Sequence, residues 1–174
     1  MSRIIRIDSL HSGDRKSCSA NGDGVRIVIW LAGCSIHCDG CHNSDYWDFD
    51  NKNFEEFSDK HLDFIFEEIE KYPNIYSGIS ILGGEPFDKR NIDTSIYIAE
   101  KFEQKFKYKN KNIWIWTGYT REWLGKQEGE YGTKIKYLWY LCDYAVVGPY
   151  IKEQRNISLK FRGSENQEIV RIHK

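Results

Sequence analysis

The sequence predicts an α/β protein built on a parallel sheet that is open or curved into a partial (β/α) barrel. Short apolar runs of strand length alternate with longer segments in which apolar residues recur at helical spacing. The first clear run, residues 25–32, is almost continuously apolar, which is typical of a strand covered on both faces. Because such sheets carry functional loops at the carboxyl ends of their strands, we expect the site there.

Length and composition predict one domain spanning residues 1–174, with 40% hydrophobic and 15% aromatic residues, as in ordinary folded proteins. Twenty-five Lys and Arg residues against 26 Asp and Glu residues leave a net charge of −1, without the basic stripe that nucleic acid requires. Residues 1–10 lack the apolar core of a signal peptide, and no apolar run is long enough to span a membrane. We therefore expect a cytoplasmic protein with neither a membrane nor a nucleic-acid partner.

The first half of the chain contains a loop, a strand and a helix in that order. Residues 11–24 are rich in Ser, Gly, Asp and Asn and predict a loop before the strand at 25–32. A helix follows Ser58, its expected N-cap, and ends before Pro73. The apolar stripe of this helix consists of Leu62, Ile65, Phe66 and Ile69.

The second half repeats the alternation of strand and helix. The predicted elements are a strand at 79–82, a helix at 92–106, a strand at 113–117, a helix at 135–141 and a strand at 144–147. The strand at 79–82 runs into Gly83-Gly84-Glu85-Pro86, where two glycines allow a close approach of the backbone to a ligand. Trp114 and Trp116 alternate with Ile113 and Ile115, which favours core packing over electron transfer.

A cluster of cysteines follows the first strand directly. Cys34, Cys38 and Cys41 lie within eight positions of a chain that has five cysteines. The odd total and the crowding favour metal ligation in a reducing compartment over a disulfide framework. The C-x3-C-x2-C spacing lets one loop direct three thiolates to a common centre. A four-iron cluster held by three cysteines keeps one iron open to a small molecule.

Spacing alone leaves a structural zinc site equally open. Zinc requires four closed ligands, and the fourth could come from His37, His42, Cys18 or Cys142. The residues around the cysteines must therefore distinguish the two kinds of metal centre.

These residues resemble the radical S-adenosylmethionine superfamily, which joins C-x3-C-x2-C after its first strand to a later strand ending in Gly-Gly-Glu-Pro. Within it, four stretches resemble the activating proteins of anaerobic ribonucleoside-triphosphate reductases; they lie at 21–43, 83–86, 116–119 and 161–167. The first and last stretches weigh most, because the other two are shared with related activases. Activases of other glycyl-radical enzymes are generally longer and often carry additional cysteine clusters. This short sequence encodes one cluster, which supports the same assignment.

The resemblance implies a radical SAM fold of the partial-barrel type and a [4Fe-4S] cluster bound by Cys34, Cys38 and Cys41. It implies that the open iron binds S-adenosyl-L-methionine, which is cleaved reductively to a 5'-deoxyadenosyl radical. That radical takes hydrogen from a glycine of the partner, the anaerobic ribonucleoside-triphosphate reductase. Reduced flavodoxin or a similar protein is the implied electron donor.

The resemblance also implies which residues contact the cofactor. Gly83 and Gly84 would admit its methionine end, and Glu85 would anchor this loop or the ammonium group. Backbone near the adenine would come from Gly40, Cys41 and His42. Since His42 stands where the family commonly has Tyr or Phe, we expect a backbone contact rather than a role for its imidazole.

Other polar residues receive weaker interpretations. His37 lies between two ligands and could tune the cluster or face solvent. Cys18 is expected to be a free thiol without function, and Cys142 a small core residue. Thr117, Gly118 and Tyr119 could line the cofactor pocket, and Arg162 could serve the partner interface or a local carboxylate. Three histidines are assigned no role: His11, His61 and His173.

Two other functions stay open at this point. The chain could activate a different glycyl-radical enzyme or be a small radical SAM enzyme acting on a metabolite. It could instead be a non-catalytic, zinc-stabilised interaction module. Iron content and visible absorbance would distinguish the zinc-stabilised module from an iron-sulfur enzyme.

Overall fold

The sheet of this protein has seven strands in the order β3-β1-β2-β4-β5-β6-β7. The computed structural model describes residues 2–52, 54–106 and 109–172, so that His173 lies outside the described residues. The strands are β1 Arg3–Asp8, β2 Val25–Leu31, β3 Glu55–Glu56, β4 Tyr76–Gly83, β5 Asn112–Thr117, β6 Tyr144–Val147 and β7 Glu168–Arg171. The central strands β2, β4, β5 and β6 are mutually parallel.

The parallel centre confirms the sequence prediction, but the sheet as a whole is mixed. Strand β1 pairs antiparallel with both β2 and β3, and β7 pairs antiparallel with β6. These three strands were not predicted, because β3 has two residues, β7 is mostly exposed, and β1 lacks a clear alternation. The fold is therefore α/β, and its sheet has a parallel core with antiparallel strands on both sides.

The helices are α1 Ser17–Ala20, α2 Asp59–Lys71, α3 Ile92–Phe106, α4 Arg121–Gly125 and α5 Gly129–Leu141. Helices α2 to α5 lie in the connections between the parallel strands, as expected for βα units, whereas α1 lies between the antiparallel strands β1 and β2. The bounds of α3 agree with the prediction, whereas α5 begins six residues earlier than position 135. Gly129 and Gly132 in its first turn have low helix propensity and hid this start.

The N-cap predicted at Ser58 is confirmed, with a partner that the sequence did not suggest. Ser58 and His61 form a reciprocal capping box, in which His61 Nδ1 accepts the Ser58 backbone N–H at 3.1 Å. His11, also without an expected role, lies 3.0 Å from Glu68 Oε2 and stacks on Tyr72. Both histidines therefore have structural contacts in α2 or at its end.

One face of the sheet carries the main hydrophobic core. Alternate residues of the parallel strands, such as Ile29, Ile81 and Ile115, are fully buried against the long helices. The buried helix residues include Ile65, Ile69, Ile98, Phe102 and Leu138. This face supplies most of the apolar burial that stabilises the fold.

The opposite face is covered by loops. Residues 9–24, which include α1, lie over β2 and β4. Ser80 Oγ of β4 donates to the Asn21 carbonyl at 2.7 Å. Buried Asp8 holds this loop by accepting hydrogen bonds from Asp14 N and Ser17 Oγ. The same carboxylate accepts the Trp30 indole N–H at 2.7 Å. The strand at 25–32 is thus buried on both faces, as predicted, but helices of more than one turn cover only one of them.

A fully buried arginine organises the beginning of three strands on this second face. Arg26 Nη2 donates to the carbonyls of Ile79 and Asn112 at 2.6 and 2.8 Å, and Nε donates to Ser80 Oγ at 2.8 Å. Burial lowers the pKa of Arg26 to about 9, so the group is still charged at neutral pH. Arg26 therefore joins β2, β4 and β5 through charge-assisted bonds.

No helix in the described part of the chain combines the length and the apolar composition needed to cross a bilayer.

Replacing Arg26 by Met should lower the free energy of unfolding by about 3 kcal/mol, because several buried acceptors lose their donor. The measurement is anaerobic urea unfolding followed by circular dichroism. Arg121→Met removes an exposed arginine from the first turn of α4 and should change the value by about 0.5 kcal/mol or less. Equal effects of the two substitutions would contradict this role of Arg26.

Candidate functional site

The loops that follow the four parallel strands meet in one pocket of about 390 Å³. The loop after β2 contributes the three clustered cysteines, and the loop after β4 contributes Gly84 and Glu85. Gly118 lies just after β5, and Gly148 and Tyr150 lie just after β6. The site thus lies at the carboxyl ends of the strands, where the sequence places it.

Nearly all residues predicted for the site line this pocket. They are Cys34, Cys38, Cys41, His42, Gly83, Gly84 and Glu85. Gly40 lies beside it, with a positive φ of 69° and with the Tyr150 and Lys152 side chains next to its Cα. The structure therefore brings together the two motifs that are 42 residues apart between Cys41 and Gly83.

Backbone N–H groups surround the three cysteine sulfurs. The Asn43 N–H donates to Cys41 Sγ at 3.4 Å. The backbone N–H groups of Ile36 and His37 lower the pKa of Cys34, and that of Tyr150 lowers the pKa of Cys38, each against the larger effect of burial. Burial raises the pKa of Cys34 to about 11, and these N–H groups oppose the increase by stabilising the thiolate. Amide donors around sulfur are the environment that thiolate-bound iron-sulfur clusters have in proteins.

The residues considered as a fourth zinc ligand are mostly directed elsewhere. Cys18 and Cys142 are fully buried outside the pocket, Cys142 in the main core. The His37 ring stacks on Trp47 with a centroid distance of 4.5 Å, whereas His42 lines the pocket. Within residues 2–52, 54–106 and 109–172, no three His, Cys, Asp or Glu side chains converge closely enough to hold a single ion.

The cysteine loop and the Gly-Gly-Glu-Pro loop pack backbone against backbone. A Cβ at Gly84 would lie 2.2 Å from the Gly33 carbonyl oxygen, and one at Gly83 would lie 2.8 Å from the Leu31 carbonyl oxygen. The N–H groups of Gly84 and Glu85 donate to the carbonyls of Leu31 and Gly33 at 2.7 and 2.8 Å. The two glycines are therefore needed for contact between loops, in addition to the ligand access expected from the sequence.

Glu85 anchors the floor of the pocket. Its side chain is buried, with Oε1 accepting the Phe87 N–H at 3.0 Å and Oε2 accepting the Gly118 N–H at 2.8 Å. Burial raises the pKa of Glu85 to about 7. The carboxyl group thus ties the loop after β4 to the end of β5, which is the anchoring role expected for it.

Asn91 is a site residue that the sequence did not reveal. Its Nδ2 lies 2.9 to 3.1 Å from three buried carbonyl oxygens, those of Ala32, Gly33 and Glu85. Nearby, Ser35 Oγ donates to the Asp88 carboxylate. A polar residue directly before a predicted helix is an ordinary N-cap in sequence, so no signal marked Asn91 as a link between loops.

Aromatic residues form part of the pocket wall. Trp30, Trp116 and Phe161 line the pocket, and Trp116 Nε1 donates to the Phe161 carbonyl at 2.8 Å. Trp114 is buried and stacks on Tyr144, which confirms core packing for this residue. Trp116 differs, because its ring reaches the pocket.

Of the residues with weaker sequence interpretations, some line the pocket and others lie outside it. Thr117 and Gly118 line the pocket, whereas the Tyr119 ring stacks on Trp123 at 3.8 Å between centroids. Arg162 lines the pocket and donates through Nη1 to the Gln167 carbonyl, so its observed local partner is backbone rather than a carboxylate.

The donor set and the loops fit an iron-sulfur cluster with an adjacent ligand. Three thiols with amide donors lie in one pocket whose other walls are glycine backbone and aromatic rings. A volume of about 390 Å³ falls in the ordinary range for small-molecule sites. The arrangement can hold a metal cluster on one side and a small molecule beside it.

Comparison with known proteins agrees with this geometry. Residues 20–170 match the family described as "4Fe-4S single cluster domain". An anaerobic ribonucleoside-triphosphate reductase-activating protein of Haemophilus influenzae is 31% identical over 152 residues, covering 87% of this chain and 91% of the relative. Proteins of the same name from Vibrio cholerae and Enterobacteria phage T4 are 29% and 28% identical, covering 87% and 86% of this chain and 91% and 85% of their own lengths.

The cysteine pocket, the family match and these relatives agree with one another. The chain belongs to the 4Fe-4S single cluster domain family and, within it, to the anaerobic ribonucleoside-triphosphate reductase-activating proteins.

Proposed function

We propose that this chain activates an anaerobic ribonucleoside-triphosphate reductase by generating a glycyl radical on it. A [4Fe-4S] cluster held by Cys34, Cys38 and Cys41 would supply one electron for the cleavage of S-adenosyl-L-methionine to methionine and a 5'-deoxyadenosyl radical, which would take a hydrogen atom from the reductase glycine. The observation that carries the proposal is the shared pocket of the three cysteines and the Gly-Gly-Glu-Pro loop. The relatives named above act on this class of reductase.

The residues of the chain would hold and orient these groups. Cys34, Cys38 and Cys41 would bind three irons of the cluster, leaving the fourth without a protein ligand. Gly83 and Gly84 would lie against the methionine end of the cofactor, with Glu85 fixing their loop. Backbone near the adenine would come from Gly40, Cys41 and His42.

The wider proposal concerns architecture and partners. The chain would be one radical SAM domain across residues 1–174, with the sheet curved as a partial barrel around the pocket. Support comes from the placement of the long helices on one sheet face and of the pocket on the other. A reduced flavodoxin or a similar protein would deliver the electron.

Replacing Cys34, Cys38 or Cys41 by Ala should abolish the cluster, because each thiolate is the ligand of a separate iron. Anaerobically purified protein should be brown and contain about four irons per chain, and each variant should lose most of its iron and visible absorbance. Cys18→Ala removes a buried thiol outside the pocket and should keep both. Colourless wild-type protein with one bound zinc would favour the interaction-module alternative instead.

Gly84→Ala should weaken the binding of S-adenosyl-L-methionine at least tenfold, because its Cβ would lie 2.2 Å from the Gly33 backbone oxygen and force the loops apart. Binding is measured by equilibrium dialysis with protein of verified iron content. Gly125→Ala is the matched control, since a Cβ there meets nothing within 4 Å. Unchanged binding by Gly84→Ala would show that the contact between loops does not shape the cofactor site.

Mixing the reduced protein with S-adenosyl-L-methionine and the reductase of the same organism should produce a glycyl radical signal in electron paramagnetic resonance. Cys38→Ala should give none. If the wild-type protein gives no signal but turns over a small metabolite, the assigned substrate is wrong and the metabolite-enzyme alternative is favoured.

A further inference from the structure

The loop of residues 154–165, termed the rim loop, borders the pocket, and several of its residues line it. Its two ends pair antiparallel. The Glu165 N–H donates to the Gln154 carbonyl at 2.9 Å, and the Asn156 N–H donates to the Gly163 carbonyl at 3.2 Å. The rim loop is therefore closed by its own backbone hydrogen bonds.

Further contacts fix the rim loop on the sheet and shape its outer part. The Trp116 indole N–H donates to the Phe161 carbonyl at 2.8 Å, which ties the loop to the end of β5. In the outer part, Asn156 Oδ1 accepts the Ser158 N–H at 2.9 Å and the Ser158 hydroxyl at 2.6 Å. The residue between these two, Ile157, is thus held in a defined position.

Ile157 projects into solvent. Its exposed fraction of 84% is the largest among the large hydrophobic side chains in the described part of the chain, and Ile75, for comparison, is 43% exposed. Burial of such a side chain by a partner is favourable. Because the loop is already formed, little backbone freedom would be lost on binding. Ile157 therefore has the properties of an apolar anchor in a protein interface.

The surroundings of Ile157 carry an excess of positive charge. Residues 152–165 include four cationic side chains and two carboxylates, which are Lys152, Arg155, Lys160 and Arg162 against Glu153 and Glu165. Among the residues that the structure describes, none of these six takes part in an ion pair. The positive charge is therefore free to face a partner, and it favours a partner surface that is negatively charged.

Under the proposed function, the reductase has to cover the mouth of this pocket. Transfer of a hydrogen atom requires the glycine of the reductase to lie in contact with the reacting group inside the pocket. The surface of the reductase around that glycine then lies over the residues that border the pocket. The rim loop lines the pocket through Leu159 and Phe161 and exposes Ile157 two residues earlier, so it is continuous with the path of the glycine.

We propose that the rim loop is a docking surface for the anaerobic ribonucleoside-triphosphate reductase, with Ile157 inserted into an apolar depression of the reductase and the surrounding cations facing acidic residues. The identity of the partner rests on the proposed function. The proposal deepens that function by naming the surface that recognises the reductase, which is separate from the residues that hold the cluster and the cofactor.

The first test measures the Kd between cluster-loaded protein and the reductase of the same organism under anaerobic conditions. Ile157→Asp should raise the Kd at least about tenfold, because it removes the apolar anchor and places a negative charge among the cations. The matched control is Ile75→Asp, which changes an exposed isoleucine directly before β4, at the end of the strand away from the pocket. This control should change the Kd less than about twofold. Added salt should raise the wild-type Kd.

The second test separates docking from chemistry, with dithionite as the reductant so that no electron-donor protein takes part. Without reductase, Ile157→Asp should match the wild-type protein in iron content and in the rate at which it cleaves S-adenosyl-L-methionine to methionine and 5'-deoxyadenosine. With reductase, its glycyl radical yield should be low at a low reductase concentration and approach the wild-type yield as that concentration is raised.

Four results would overturn the inference. The first two are an unchanged Kd for Ile157→Asp and an equal increase for Ile75→Asp. The third is loss of iron or of cleavage without reductase in Ile157→Asp, because the residue would then support the pocket. The fourth concerns a different occupant: if the wild-type protein alone sediments as a dimer and Ile157→Asp as a monomer, the anchor belongs to a contact between two copies of this chain.

These results are distinguishable from failure of the proposed function. If the wild-type protein binds the reductase and forms the glycyl radical while Ile157→Asp behaves identically, only the inference is refuted. If the wild-type protein neither binds the reductase nor forms the radical, the proposed function is refuted and the inference with it.

Discussion

The contact of Gly84 with the Gly33 carbonyl is the constraint on which the pocket depends. The loops after the neighbouring parallel strands β2 and β4 are in direct backbone contact at this point. The three clustered cysteines and the two glycines therefore line the same pocket. The N–H groups of Gly84 and Glu85, together with the Asn91 side-chain amide within 3.1 Å of three carbonyl oxygens, fix this approach. A side chain larger than hydrogen at either glycine would separate the metal-binding loop from the ligand-binding loop.

The two faces of the sheet perform different tasks. The helix-covered face is apolar and supplies the hydrophobic burial, whereas the loop-covered face and its edge carry the buried ionisable side chains Arg26, Asp8 and Glu85. Each of these polar groups forms more than one hydrogen bond, which limits the cost of removing it from water. Arg26 thereby joins the strands, Asp8 holds the loop 9–24, and Glu85 ties two loops of the pocket together.

The sequence was sufficient for the parallel centre of the sheet, for α2 and α3, and for placing the cysteine loop and the Gly-Gly-Glu-Pro loop at one pocket. Long periodic segments and continuous apolar runs are strong signals, and the C-x3-C-x2-C and Gly-Gly-Glu-Pro motifs lie where strands end. The antiparallel strands β1, β3 and β7 were missed because short or exposed strands have little pattern. Asn91 was missed for another reason: its role depends on which carbonyl groups surround its side chain, and only the folded chain determines that.

The donors around the three sulfurs share a property that concerns the divergence of this family. The donors named above, at Ile36, His37, Asn43 and Tyr150, are backbone amides rather than side chains. An ordinary substitution cannot delete a backbone amide hydrogen; only proline does. The electrostatic surroundings of the metal centre are therefore inherited through the path of the main chain. Relatives that are about 30% identical to this chain can therefore differ in side chains near the cysteines without losing such donors.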